Sequence, residues 1–321
     1  MTTLPGGYLQ PAAQQGRVER MEYAAPNYLH ANGGEVAKTA YVYLPFGYED
    51  KPVVEDDGAA GEDEAQEHAN ADAAVQGVAA EAEVDGTSRY NVFFLMHGRA
   101  CGSDFLFTWE DGAIVNLLDN MIEHGDIEPL VVVTPTYLAH EGQTVSYTEE
   151  SHMLNPFSKE LKGTLLPEVA RRYWTYAGGT GPEELEAART HMGFGGFSFG
   201  AVTTWYVFLR CLRQVAWYMP MYGDCWVEGV YGGNLRPMQT TERLIKSVQR
   251  AQCDAGDYHI HLSTGTHDPM YQSVKKQSQS MRRRSAYFTA DNFTYTCKQG
   301  GDHSYTAVVE NLYDALPGFF R

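Results

Sequence analysis

Gly193-Phe194-Gly195-Gly196-Phe197-Ser198-Phe199-Gly200 is the stretch on which the fold turns. Within it, Gly196, Ser198 and Gly200 spell Gly-x-Ser-x-Gly. In that motif the serine sits on a tight strand-to-helix turn, with a backbone conformation few residues tolerate. Glycines two places before and after it leave space that any Cβ would fill. The turn lifts the serine hydroxyl to the C-terminal edge of a parallel sheet, where a histidine can take its proton. Gly and Ser are common enough for the pattern to recur by chance, so its weight comes from residues further along the chain. Asp268 comes after one apolar strand-like run and His303 after another.

Serine, acid, histidine is the chain order of the α/β-hydrolases, and the flanking sequence agrees with that fold class. Val18–Tyr23 and Lys38–Pro45 alternate in polarity, as half-buried antiparallel strands do. Continuous apolar runs then mark strands covered on both faces, at Tyr90–Met96, Leu130–Pro135 and His191–Phe197. Further strands are expected at Val215–Met221, Tyr258–Thr264 and Phe293–Lys298. Helical patterns fall between them, at Asp111–His124, Leu154–Tyr173 (with Pro167 as a kink or break), Phe199–Leu212, Thr240–Gln252, Pro269–Arg282 and Ser304–Phe320. Strands alternating with helices predict a mostly parallel central sheet, helices on both faces and antiparallel N-terminal strands. One domain over residues 1–321 is expected.

The chain carries 24 Lys+Arg against 41 Asp+Glu, a net charge of −17. Nucleic acid and anionic membranes are poor partners for such a surface. Much of the excess lies in an insert at about residues 51–88, with eleven acids against one lysine. Without it the charge is about −7, ordinary for a soluble enzyme. Rich in Ala, Glu and Asp, the insert reads as a solvated surface loop. The five cysteines, Cys101, Cys211, Cys225, Cys253 and Cys297, show no Cys-x-x-Cys and fit neither a disulfide framework nor a zinc site. No metal and no cofactor is expected. Met1–Gly7 has no basic start leading into an apolar run, and no stretch approaches a membrane span, so a cytoplasmic enzyme is expected, or a secreted one if a leader has been removed.

A serine hydroxyl attacks only when a base removes its proton, and the base needs a carboxylate to fix its tautomer. Of eleven histidines, His303 stands in a glycine-rich loop, Gly300-Gly301-Asp302-His303-Ser304, between the last strand and the last helix. His267 is the other late candidate. His259 and His261 share one face of a strand, where packing suits them better than metal binding. For the acid, Asp268 ends a strand, and Pro269 beside it also makes it a natural helix N-cap. Asp224, in Tyr222-Gly223-Asp224-Cys225-Trp226, is its rival. Asp302 adjoins His303 and is badly placed to reach the ring. The oxyanion donors expected are the backbone N–H groups of Phe199, after the serine, and of Arg99, in the loop His97-Gly98-Arg99-Ala100. Trp109, Tyr137, Tyr222, Asp224, Trp226 and Tyr271 fall near the active edge, where rings suit a planar acyl group or a sugar face.

With these residues in place, the chain resembles the feruloyl esterases of carbohydrate esterase family 1, in particular the esterase modules of bacterial xylan-degrading systems. The resemblance runs from Lys38 to Phe320 apart from the acidic insert. It rests on Tyr43–Tyr48, Tyr90–Gly98, Glu128–Thr136, Gly193–Gly200 with Thr203-Thr204-Trp205-Tyr206, Met219–Trp226, Thr264–Asp268 and Tyr313–Pro317. It implies an α/β-hydrolase fold, an acyl-enzyme mechanism and hydroxycinnamoyl esters as substrates, with Ser198 as nucleophile, Asp268 as acid and His303 as base. Esterases acting on acetylated xylan or short acyl esters are the alternative it leaves, and a non-catalytic binding protein on a hydrolase fold is a more distant one. The loop Arg99-Ala100-Cys101-Gly102 is poorer in glycine than the family pattern, and Phe199 and Ala201 replace its usual Met and Gly.

Overall fold

The computed structural model describes residues 3–29, 33–51, 89–140 and 142–321. Apart from Lys51, the acidic insert lies outside the described residues. The strands are β1 (Arg17–Pro26), β2 (Glu35–Leu44), β3 (Asn91–Met96), β4 (Leu130–Thr134), β5 (Met192–Phe197), β6 (Trp217–Met221), β7 (His259–Gly265) and β8 (Phe293–Lys298). They form one eight-stranded sheet in the order β1-β2-β4-β3-β5-β6-β7-β8. β1 pairs antiparallel with β2 and β2 with β4; every other pairing is parallel.

The helices are α1 (Phe105–Thr108), α2 (Ala113–Glu123), α3 (Tyr147–Glu160), α4 (Leu166–Arg172), α5 (Pro182–Ala187), α6 (Phe199–Cys211), α7 (Gly232–Leu235), α8 (Pro237–Ala251), α9 (Tyr271–Arg282) and α10 (Thr306–Ala315). Strand side chains alternate between two cores, as a period of two requires. Val92, Phe94 and Met96 of β3 face a core shared with α3, α6, α8 and α9. Phe93 and Leu95 face the opposite one, closed by α2 and α10. The early strands and the β-α alternation thus agree with the sequence reading.

The helix expected over Leu154–Tyr173 is different. It begins at Tyr147, behind a capping box in which Ser146 Oγ accepts from the Glu149 N–H and Glu149 accepts from the Ser146 N–H. The break comes at a π-helical segment, Leu161–Leu165, and Pro167 falls in the first turn of α4, where its missing N–H costs nothing.

β3 to β8 run the same way, so the loops leaving Met96, Thr134, Phe197, Met221, Gly265 and Lys298 share one edge of the sheet. Every residue singled out as catalytic lies in those loops, as open α/β sheets place their sites.

Candidate active site

Ser198 stands between β5 and α6 with φ 59° and ψ −113°, a conformation costly for a residue with a Cβ. Two glycines make the turn possible. A Cβ on Gly196 would lie 2.6 Å from the Gly200 carbonyl, and one on Gly200 would run into the carbonyl oxygen of Met96. The bend is tied to the sheet by the Ser198 N–H, which donates to Met221 O at 2.9 Å.

Ser198 Oγ lies 2.9 Å from His303 Nε2, and His303 Nδ1 lies 3.1 Å from Asp268 Oδ1. The Asp268 side chain is fully buried while about a third of His303 is exposed. Asp268 Oδ1 also accepts the Met270 N–H at 2.7 Å, and Thr264 Oγ1 donates to Oδ2 at 3.3 Å. Because a buried carboxylate can only accept, His303 Nδ1 carries the proton and Nε2 presents its lone pair to the serine. Asp224, the rival acid, is buried elsewhere: its oxygens accept the Trp226 indole N–H at 2.8 Å and the Asn234 N–H at 3.2 Å. Burial raises its carboxyl to about 6.

On the other side of the serine, residues 97–102 are held by a buried lattice. His97 Nδ1 lies 2.7 Å from Gly98 O, and its Nε2 lies 2.8 Å from Thr136 Oγ1. A carbonyl can only accept, so Nδ1 carries the proton and Nε2 accepts from the threonine. Burial lowers the His97 pKa to about 4, which keeps this ring neutral. Tyr137 Oη lies 2.9 Å from the same Gly98 carbonyl and 2.9 Å from the buried Glu150 carboxylate; both only accept, so its single hydrogen is shared between them. Glu150 also accepts the N–H of Ala100, which sits at φ 60°. Tyr305 Oη takes the Gly98 N–H at 2.9 Å.

With the Gly98 carbonyl pinned from two sides, planarity of the peptide aims the Arg99 N–H the opposite way. Phe199 opens α6, so its N–H has no helical acceptor either. Both N–H groups belong to the residues the sequence reading expects as oxyanion donors, one on each side of Ser198 in the chain.

A cleft of about 160 Å³ opens beside Ser198 and His303. Of the six aromatic and acidic residues expected there, Tyr222 and Trp226 line it. Tyr137 and Asp224 are structural braces, Trp109 packs near Tyr305, and Tyr271 holds Lys275 at 3.2 Å. Sequence reasoning missed Tyr147, Tyr231 and Met270 on the cleft wall, and the side chain of Arg99. The rings form a box: Phe199 lies 5.2 Å from Tyr147 and 5.6 Å from Trp226, and Tyr147 and Tyr231 join hydroxyls at 3.0 Å. Arg99 lies over the Tyr147 ring at 5.7 Å. A dry cavity of about 150 Å³ accommodates benzene, so this cleft has room for one aromatic ring.

Among the described residues, no cluster of His, Cys, Asp and Glu is arranged to hold a metal ion, and no helix is long and apolar enough to cross a membrane. His259 stacks on Trp217 at 4.1 Å, and His261 Nε2 lies 3.2 Å from Thr296 Oγ1.

No family model matches the chain. It is 30% identical over 322 residues to endo-1,4-beta-xylanase Y of Acetivibrio thermocellus, covering 99% of this chain and 24% of that protein. The chain thus spans about a quarter of the curated relative. Among solved structures, a serine-to-alanine mutant of the feruloyl esterase module from Clostridium thermocellum, complexed with sinapinate, is 29% identical. It superposes with a TM-score of 0.77 over 100% of this chain and 93% of that one. A ferulic acid esterase of Anaeromyces mucronatus in complex with ferulic acid shares the fold, at 16% identity and a TM-score of 0.67, over 99% of this chain and 96% of that one.

Proposed function

We propose that this chain, which belongs with the feruloyl esterase modules of carbohydrate esterase family 1, is a serine carboxylesterase. It acts as a single esterase domain and hydrolyses hydroxycinnamoyl esters of plant-derived carbohydrates or soluble conjugates, within xylan degradation. The observation that carries the reading is the unbroken Ser198–His303–Asp268 hydrogen-bond chain opening onto a ring-sized aromatic cleft.

Ser198 Oγ attacks the ester carbonyl as His303 Nε2 takes its proton, and Asp268 stabilises the imidazolium that forms. The developing oxyanion is met by the N–H groups of Phe199 and Arg99, fixed before substrate arrives and so requiring no reorganisation. His303 returns the proton to the departing alcohol, leaving the acyl group on Ser198. Water then enters, His303 removes its proton, and collapse of the second tetrahedral intermediate releases the acid and restores the serine. The acyl ring lies between Phe199, Trp226 and Tyr147. A cytoplasmic site of action rests on the five unpaired cysteines, the state expected of thiols in a reducing compartment.

The test is hydrolysis of methyl ferulate and 4-nitrophenyl acetate by wild type and Ser198→Ala in parallel. Ferulate release that the alanine abolishes is expected. Acetate release without ferulate release would move the function to a short-chain esterase.

A further inference from the structure

The edge of the sheet away from Ser198 holds a cavity of about 520 Å³, larger than the catalytic cleft. Five cations line it, Lys159, Lys162, Arg210, Arg213 and Arg250, and no carboxylate does. On a chain of net charge −17 this is an unexpected concentration. Arg213 pairs with Glu186 at 2.5 Å. Among the described residues, the other four form no ion pair. Arg210 is half-buried, and among the described residues the one polar partner of its side chain is the Ser158 hydroxyl at 3.2 Å. Desolvation lowers its pKa. A guanidinium taken partly out of water without a carboxylate is left uncompensated, and a bound anion would offset that.

Cations near the ends of α6 and α8 also suit the helix dipoles there. That explains Arg210 and Arg250, at the C-terminal turns of α6 and α8. Lys159 also falls in the last turn of α3, but the helical backbone runs on through the π-helical segment that carries Lys162 into α4, so neither lysine stands at a free helix end. The same dipoles select among anions. Helix C-termini point carbonyl oxygens towards the cavity region, opposing one compact, highly charged group such as a phosphate, which helix N-termini favour. Single charges spaced along a chain, each met by its own cation, escape that conflict.

We propose that this cavity binds the carboxylates of an acidic polysaccharide, a chain carrying uronate sugars. The choice of a glycan rests on the reading of the chain as a carbohydrate esterase. α6 separates the two sites by roughly 20 Å, from 13 residues at 1.5 Å each. Binding here would therefore hold the enzyme on polymer while leaving turnover of a small ester unchanged.

The test is migration of the full chain through native gels containing polygalacturonate, neutral xylan or neither, with methyl ferulate turnover measured on the same preparations. Retardation by polygalacturonate and not by neutral xylan is expected. The Arg210→Gln/Arg250→Gln double variant should weaken it roughly tenfold or more, the scale of one lost charge-assisted hydrogen bond. Lys159→Gln/Lys162→Gln, both at exposed positions, should weaken it in the same direction without risk to the fold. Methyl ferulate turnover should be unchanged in both, and its absence from wild type would overturn the esterase reading separately. Equal migration of wild type and variants in polygalacturonate, or thermal stabilisation by tripolyphosphate without retardation by polygalacturonate, would overturn the proposal.

Discussion

Two walls flank Ser198, and they are built on different physics. The oxyanion wall, residues 97–102 with Thr136, Tyr137, Glu150 and Tyr305, is a lattice of directed hydrogen bonds around groups largely removed from water. The acyl wall is a box of rings in which Tyr147 and Tyr231 are solvent-exposed, joined to each other through one hydroxyl pair. A fixed dipole must not move as charge develops, so it is placed in a lattice that over-determines it. A ring-binding surface can tolerate adjustment, since apolar contact is not directional. The first wall should therefore set kcat and the second KM and acyl preference.

Substitutions that separate catalysis from packing should have the largest effect. Asp268→Asn should lower kcat about 10⁴-fold by leaving His303 in the wrong tautomer, as loss of the acid does in triads generally. Asp224→Asn, at the buried acid that does not touch His303, should leave kcat within about threefold of wild type in any preparation that folds by circular dichroism. Similar kcat losses in both would break the distinction between them.

On the oxyanion wall, His97→Ala removes the shorter of the two contacts on the Gly98 carbonyl and loosens the aim of the Arg99 N–H. A kcat loss of about 10²-fold with KM little changed is expected, the scale of one oxyanion donor. Tyr137→Phe leaves the His97 contact in place and should cost about tenfold in kcat. Steady-state kinetics on methyl ferulate check both; a rise in KM with kcat intact would transfer this wall to substrate binding.

On the acyl wall the split should reverse. Trp226→Ala should raise KM for methyl ferulate about tenfold while 4-nitrophenyl acetate, with no ring in its acyl half, changes little; hydrophobic pockets discriminate on this scale.

The smallest effect concerns acid stability. The folded-state pKa of His97 is lowered to about 4 against an ordinary 6.5, so the unfolded chain takes up a proton that the buried ring refuses. Its stabilising contribution is complete above about pH 6.5 and is lost progressively as pH falls towards 4. Melting temperature should fall over that window more steeply in wild type than in His97→Gln; parallel curves would contradict the buried neutral ring.

The elbow is legible in the sequence because its glycines are demanded by backbone contacts that only a strand-turn-helix makes, and the central strands because burial on both faces leaves continuous apolar runs. The start of α3 is harder to read because Tyr147–His152 is polar and Pro167 looks like the break; the Ser146-x-x-Glu149 capping box is the signal for it. The acyl wall is half legible. Tyr222 and Trp226 come directly after β6, so a strand end locates them. Tyr147 and Tyr231 reach the cleft only through the docking of α3 and of the loop before α7, which no local pattern encodes. Asp224 illustrates the converse: a strand-end acid looks catalytic until its indole partner two residues on is seen to occupy it.

The most direct measurement is the mass of the protein acid-quenched during turnover of methyl ferulate. Wild type should gain one feruloyl group, carried on the peptide containing Ser198, and Ser198→Ala should gain none. A feruloyl group on any other peptide, or ferulate release persisting in Ser198→Ala, would contradict the acyl-enzyme mechanism.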